Sequence, residues 1–194
     1  MGLLVSLYRA VSSRYHTYQA NNNGYSSFDL QMAIRNIFLN CDIPYNTFLC
    51  FESAKNVAEE TSSINLVNEK TDKNYLEIDG NNVTSCYTTI DDYGKVLIVV
   101  SIELLTREIN EIINRDSKIS SYDLFTILDG LMMHEIWHAH QFRYIYDKHG
   151  NQEVIDVCSR EKEYPYGEGP LESGAVLYSK SNGSKKQNLK EVFG

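Results

Sequence analysis

Residues 132–142 read MMHEIWHAHQF, and within them His134, Glu135 and His138 spell H-E-x-x-H. On an α-helix, side chains four residues apart share a face, so His134 and His138 can point two imidazoles at one ion. Neutral imidazole nitrogen is a natural zinc ligand at about 2.0–2.1 Å. Glu135 follows the first ligand, so its carboxylate falls beside the ion instead of on it. There it can take a proton from a water that zinc has brought to a pKa of about 7, and deliver it to a leaving amine. Chance produces this spacing in a chain of 194 residues on the order of 1% of the time. A helical setting lowers that further.

The surrounding sequence supplies the helix. Ser120 can cap it, with Asp123 three residues on in the manner of a capping box. The pattern continues through the motif to about Lys148, and Gly150 suits its end. Upstream, NVTSCYTTI (82–90) is rich in β-branched and aromatic residues, DDYG (91–94) is a turn, and KVLIVVS (95–101) is a short apolar run of the kind a buried strand needs. Together they predict a hairpin. Ser101 can cap the next helix, whose apolar stripe is Ile102, Leu105, Ile109, Ile112 and Ile113. RDSKISS connects it to the motif helix. Downstream, NQEVIDVCSREKEYPYGEGP reads as loop and holds Pro165 and Pro170. LESGAVLYS (171–179) reads as a short helix with Pro170 at its first position. The tail is polar, basic and expected to be loose.

Toward the N-terminus, residues 3–19 carry Leu4, Leu7, Tyr8, Val11 and Tyr15 at helical spacing, and NNNG at 21–24 breaks the pattern. Ser27 can cap a second helix with Leu30, Ile34, Ile37 and Phe38. Pro44 ends it. A third helix is expected from Thr47 to Glu60, with Phe48, Phe51, Ala54 and Val57 on one side. Residues 61–80 are polar loop with a short strand at NYLEI. The expected organisation is a helical region over 1–80, a core over 81–180 and a polar tail over 181–194, forming one compact domain.

Strand hairpin, connecting helix IELLTREINEII and active helix YDLFTILDGLMMHEIWHAHQF, in that order, resemble the zincin metallopeptidases. The similarity is to the small gluzincins and to SprT-like zincins of phage- or toxin-associated type, and it covers about residues 81–180. It implies an α+β fold in which a small sheet, with an edge strand, packs on a long active-site helix, the N-terminal helices being additional. It implies one zinc per chain and hydrolysis of peptide bonds, by an endopeptidase rather than an exopeptidase. It also implies that a strand before the active helix binds the substrate backbone as an added strand. The alternating polar residues of NVTSCYTTI suit an exposed edge better than KVLIVVS. Ser85, Cys86 and Tyr87 are the candidate substrate-binding residues.

The third metal ligand decides the subclass. A metzincin would continue H-x-x-G-x-x-H, but position 141 is Gln and position 144 is Tyr. A gluzincin takes a Glu from a later helix, in E-x-x-A or E-x-x-x-D. Glu172 has Ala175 on its own helix face, where a small residue lets two helices approach. Gly174, a poor helix residue, and the lack of an Asp after Ala175 depart from the pattern. Glu161, Glu163 and Glu168 are rivals. Tyr166 or Tyr178 could stabilise an oxyanion, as a Tyr or His does in related enzymes, although packing is the ordinary role of such a residue. His140 points away from the metal, His149 lies near the helix end, and His16 reads as a surface residue. Gly130 sits one turn before His134 and could keep that face open. Trp137 reads as core.

Composition restricts the partners. A net charge of −8 disfavours nucleic acid, which calls for a basic face. No apolar run approaches the roughly 20 residues of a membrane span, and MGLLVSLYRAV lacks the basic start of a signal peptide. A cytoplasmic setting, or delivery by a route without such a signal, is the expectation. Cys41, Cys50, Cys86 and Cys158 form no C-x-x-C pair and suit buried thiols. The expected partner is a protein or peptide substrate. Two alternatives stand beside a peptidase: an inactive zincin-like binding module, which has no need of Glu135, and a SprT-like DNA-associated protease, which the acidic balance disfavours.

Overall fold

The apolar run 95–101 becomes the middle of a sheet. A computed structural model of the chain describes residues 27–63, 76–78, 81–115, 121–165 and 167–194. In chain order these form α1 (Ser27–Asn40), β1 (Thr47–Phe51), α2 (Ala54–Ser63), β2 (Leu76–Ile78), β3 (Asn81–Val83), β4 (Cys86–Ile90), β5 (Val96–Val100), α3 (Ile102–Arg115), α4 (Ser121–His149), α5 (Asn151–Glu161), α6 (Pro170–Lys180) and α7 (Leu189–Phe193). The class is α+β. The helix expected over 3–19, the NNNG break, Ser120 and Tyr166 lie outside the described residues.

The main sheet has the order β1-β5-β4. β5 pairs antiparallel with β4, Thr88 opposite Ile98, and parallel with β1, Leu49 beside Ile98. Strand side chains alternate between faces. Val96, Ile98 and Val100 therefore enter one core, with Leu30 and Ile34 of α1 and Leu128, Met132 and Ile136 of α4. Val99 enters another, with Val57 of α2 and Leu104 of α3. Burial on both faces explains why this strand is apolar at every position. A third cluster joins Phe142 and Ile145 of α4 to Val154 and Val157 of α5 and Leu171 of α6. The 29-residue helix α4 thus packs along its length on β4, β5, α1, α5 and α6. It stops at Gly150, whose φ of 85° is a left-handed conformation that glycine takes at little cost.

Four expectations are corrected. No helix spans Thr47–Glu60: Thr47–Phe51 is a strand, and the helix begins at Ala54. TFLCF is built of β-favouring residues, and its alternation sends Leu49 and Phe51 to the main core and Cys50 to the opposite one. NVTSCYTTI is two strands, not one. Its start, β3, pairs antiparallel with β2 from NYLEI. The segment after Gly150 is not all loop, because residues 151–161 form α5. Only Val154 and Val157 of α5 are buried, so tertiary packing and not a broad apolar stripe stabilises it. The tail is anchored: Gln187 Nε2 donates to the Pro170 carbonyl at 2.9 Å, and His149 Nε2 meets the Phe193 carbonyl at 3.1 Å. β1, from before residue 80, lies in the same sheet as β4 and β5. Among the described residues, no helix is long and apolar enough to cross a membrane.

Candidate metal centre

Helix α4 presents His134 and His138 one turn apart, and α6 presents Glu172 in its first turn, two residues after Pro170. Ala175, fully buried in the main core, belongs to the face by which α6 meets α4. His134 Nε2 lies 3.1 Å from His138 Nε2. Glu172 Oε2 is 3.3 Å from His134 Nε2, and its Oε1 is 3.3 Å from His138 Nε2. A tetrahedral ion with bonds of about 2.0–2.1 Å places its ligand atoms about 3.3 Å apart. Glu172 Oε2 is buried and accepts no hydrogen bond. Two imidazole nitrogens, each facing one oxygen of the same carboxylate, form a group that could hold a divalent cation such as zinc.

The electrostatics follow from this crowding. Burial alone pushes the His138 imidazole down, but the facing Glu172 carboxylate, with Glu135 and Gln141 behind it, reverses this and holds it up at about 9. Burial pushes the Glu172 carboxyl up, and the two imidazoles hold it well below the usual carboxylate range. In metal-free protein, His138 and Glu172 are therefore an ion pair. A cation binding there displaces a proton.

Glu135 is only 6% exposed. Its Oε2 accepts from the Thr88 hydroxyl at 2.7 Å, and the same hydroxyl lies 3.0 Å from the Glu135 carbonyl. Thr88 thus ties the carboxylate to β4. Its signal in the sequence was weak: one threonine in a polar strand. Glu161, a rival ligand at the sequence level, has another place. Its two carboxylate oxygens accept from the backbone N–H groups of Leu171 and Glu172 at 3.0 and 2.9 Å. It caps the helix that carries the third ligand, the favourable end of that dipole for an anion. A Cβ on Gly169 would collide with this carboxylate. Glu163 and Glu168 are exposed.

The other candidates are distributed as follows. Tyr178 is buried in the core with its ring stacked on Trp137 at 4.8 Å, and is not brought to the cluster. Tyr166 lies outside the described residues. His140 meets the Asp42 carbonyl. A Cβ on Gly130 would meet nothing within 4 Å. The four cysteines are free, and burial pushes the Cys86 thiol well up.

β4 is an edge strand, and among the described residues nothing pairs with its outer side. The Ser85 carbonyl accepts from Ser101, and Asp91 N–H donates to Lys95. Antiparallel hydrogen bonding alternates along a strand. Ser85, Tyr87 and Thr89 therefore turn their main chains toward β5, whereas Cys86, Thr88 and Ile90 turn theirs outward. Ser85 is fully enclosed, its hydroxyl bonded to Glu108 at 2.7 Å. Tyr87 packs with the Val57 cluster on the far face. Cys86 engages Thr84 through its N–H and carbonyl. Thr88 and Ile90 thus offer the open edge nearest the cluster.

No protein-family model, curated protein or solved structure matches this chain.

Proposed function

We propose that the protein is a zinc-dependent peptidase of the zincin type, cleaving protein or peptide substrates internally. His134, His138 and Glu172 are its metal ligands and Glu135 its general acid and base. One observation carries the reading. Two imidazole nitrogens 3.1 Å apart on one helix each face a different oxygen of a single carboxylate on another, at 3.3 Å, with the buried Glu135 adjacent to the first of them in the chain.

When bound, zinc supplies Lewis acidity: it acidifies water and polarises a carbonyl oxygen. The protein supplies the rest. Glu135 takes a proton from the attacking water and returns it to the leaving amine nitrogen. Thr88 donates to Oε2 and so restricts the orientation of this carboxylate. An extended substrate adds to the outer side of β4 and pairs with the main chain of Thr88 and Ile90.

The test is to incubate a proteome with wild type and with Glu135→Gln and to map new N-termini. Both proteins should bind one zinc per chain. The variant should lose cleavage by several orders of magnitude, since the base is removed and the ligands stay. Equal cleavage by both would overturn the reading.

A further inference from the structure

We propose that Gln141 is a positioning residue of this centre: it dictates which nitrogen of His138 bears the proton, and Gln187 of the C-terminal segment holds it in place. This rests on the metal reading above.

Gln141 is fully buried one turn beyond His138 on α4. Its Oε1 faces His138 Nδ1 at 2.9 Å. Its Nε2 directs its two hydrogens at the Leu171 carbonyl, 2.9 Å away, and at Gln187 Oε1, 3.0 Å away. A carbonyl can only accept. Rotating the Gln141 amide by half a turn would set oxygen against the Leu171 carbonyl and leave buried groups unpaired. Gln187 is oriented in the same way, because its Nε2 donates to the Pro170 carbonyl at 2.9 Å. That leaves Gln187 Oε1 as the acceptor for Gln141. Two backbone carbonyls of α6 thus orient both amides. The consequence at the far end is fixed: His138 Nδ1 must carry hydrogen. Nε2, facing His134 and Glu172, is then the ligating nitrogen.

Gly174 gives independent support. A Cβ there would lie 2.7 Å from Gln141 Nε2 and would also strike Gln187 Oε1. The glycine that weakens α6 as a helix is the space in which the two amides meet.

Three variants and two readouts test this. Gln141→Leu keeps the bulk and removes the acceptor. Gln141→Glu keeps an acceptor for Nδ1–H and gives up the donors. Gln187→Ala loosens the amide from outside the core. In chelator competition, Gln141→Leu should bind zinc about 10- to 100-fold more weakly than wild type, the usual cost of losing such a partner. Gln141→Glu, which keeps the acceptor, should bind zinc more tightly than Gln141→Leu, and Gln187→Ala should lie between Gln141→Leu and wild type. A role in folding alone predicts the reverse order for the first two, because leucine suits a core better than a carboxylate. Zinc held by Gln141→Leu as tightly as by wild type would overturn the proposal.

The second readout is nuclear magnetic resonance of protein labelled with ¹⁵N at histidine. Zinc-loaded wild type should show a protected proton on His138 Nδ1, exposed to exchange in Gln141→Leu. A proton on Nε2, with Nδ1 ligating, would overturn the proposal. If wild type takes up no zinc, the peptidase reading fails separately. The tautomer is then read in metal-free protein above the pH at which His138 gives up its second proton, where Nδ1–H is again expected and Nε2–H overturns the inference.

Discussion

Glu135 is a carboxylate in a nearly closed site whose hydrogen-bond partner on the strand is a single hydroxyl. Aim matters for such a group, because proton transfer needs hydrogen-bond reach. Thr88→Val should leave zinc affinity and KM near wild type and lower kcat by one to two orders of magnitude, part of the about 10²–10⁴ that a positioned acid–base group contributes. Thr88→Ser should recover most of it. Steady-state kinetics on a mapped cleavage peptide decide this, and an unchanged kcat in Thr88→Val would remove the hydroxyl from the mechanism. His138 carries a second consequence. Its imidazole sits at about 9 in metal-free protein, above its ordinary value, so protons compete with the cation throughout the neutral range. Zinc affinity should therefore rise with pH, about tenfold per unit for one displaced proton, and level off only near 9. It should not flatten at about 6.5, where a free histidine would. Calorimetry in buffers of different ionisation heat should find a proton released on binding at neutral pH.

α6 holds its ligand on the first turn of a helix, where fraying is easiest. Pro170 opens it, Glu161 caps it through two backbone N–H groups, and Gly169 makes room for that carboxylate. Glutamates in this region should then rank by structural role. Glu172→Ala removes a ligand and should weaken zinc binding most. Glu161→Gln should cost about 1 kcal/mol of stability, the scale of a lost cap, and weaken zinc mildly by loosening the turn. Glu163→Ala and Glu168→Ala, both at exposed positions, should match wild type. Chelator competition and denaturant titration on the four variants give the order. Zinc lost from Glu168→Ala and retained by Glu172→Ala would mean a different closing residue.

Across the whole protein, α4 is where two of the three cores meet. Its N-terminal half shares one with α1 and the sheet, its C-terminal half another with α5 and α6. A cation that clamps α4 to α6 should therefore stabilise the entire chain and not only the site. At a free zinc concentration one hundred times Kd, linkage gives about 2.7 kcal/mol. For a chain of this size each kcal/mol raises Tm by about 2–4 °C, so a rise of roughly 5–11 °C is expected. Glu135→Gln should show the same rise and Glu172→Ala little of it. Scanning calorimetry with and without zinc would find no shift if the three side chains do not hold metal.

What local sequence determined was whatever depends on neighbours within a turn or a strand. His134 and His138 lie four residues apart on one helix, so their shared face, with Glu135 beside it, was legible. So were the doubly buried β5, the hairpin turn, and Glu172 with Ala175 behind Pro170. Tertiary structure decided the rest. Thr47–Phe51 carries apolar residues at both helical and strand spacing, and only a partner strand, β5, selects the second. Residues 151–161 form a helix with one buried valine pair, which needs the surfaces of α4 and α6 to stabilise it. Gln187, Thr88 and the capping role of Glu161 were not legible, because each depends on a partner 10 to 47 residues away, and Gln141, although three residues from His138, is oriented only by Leu171 and Gln187. Hydrogen bonds between such distant residues leave no periodicity to read. They exist only once α4, α6 and β4 have been packed together.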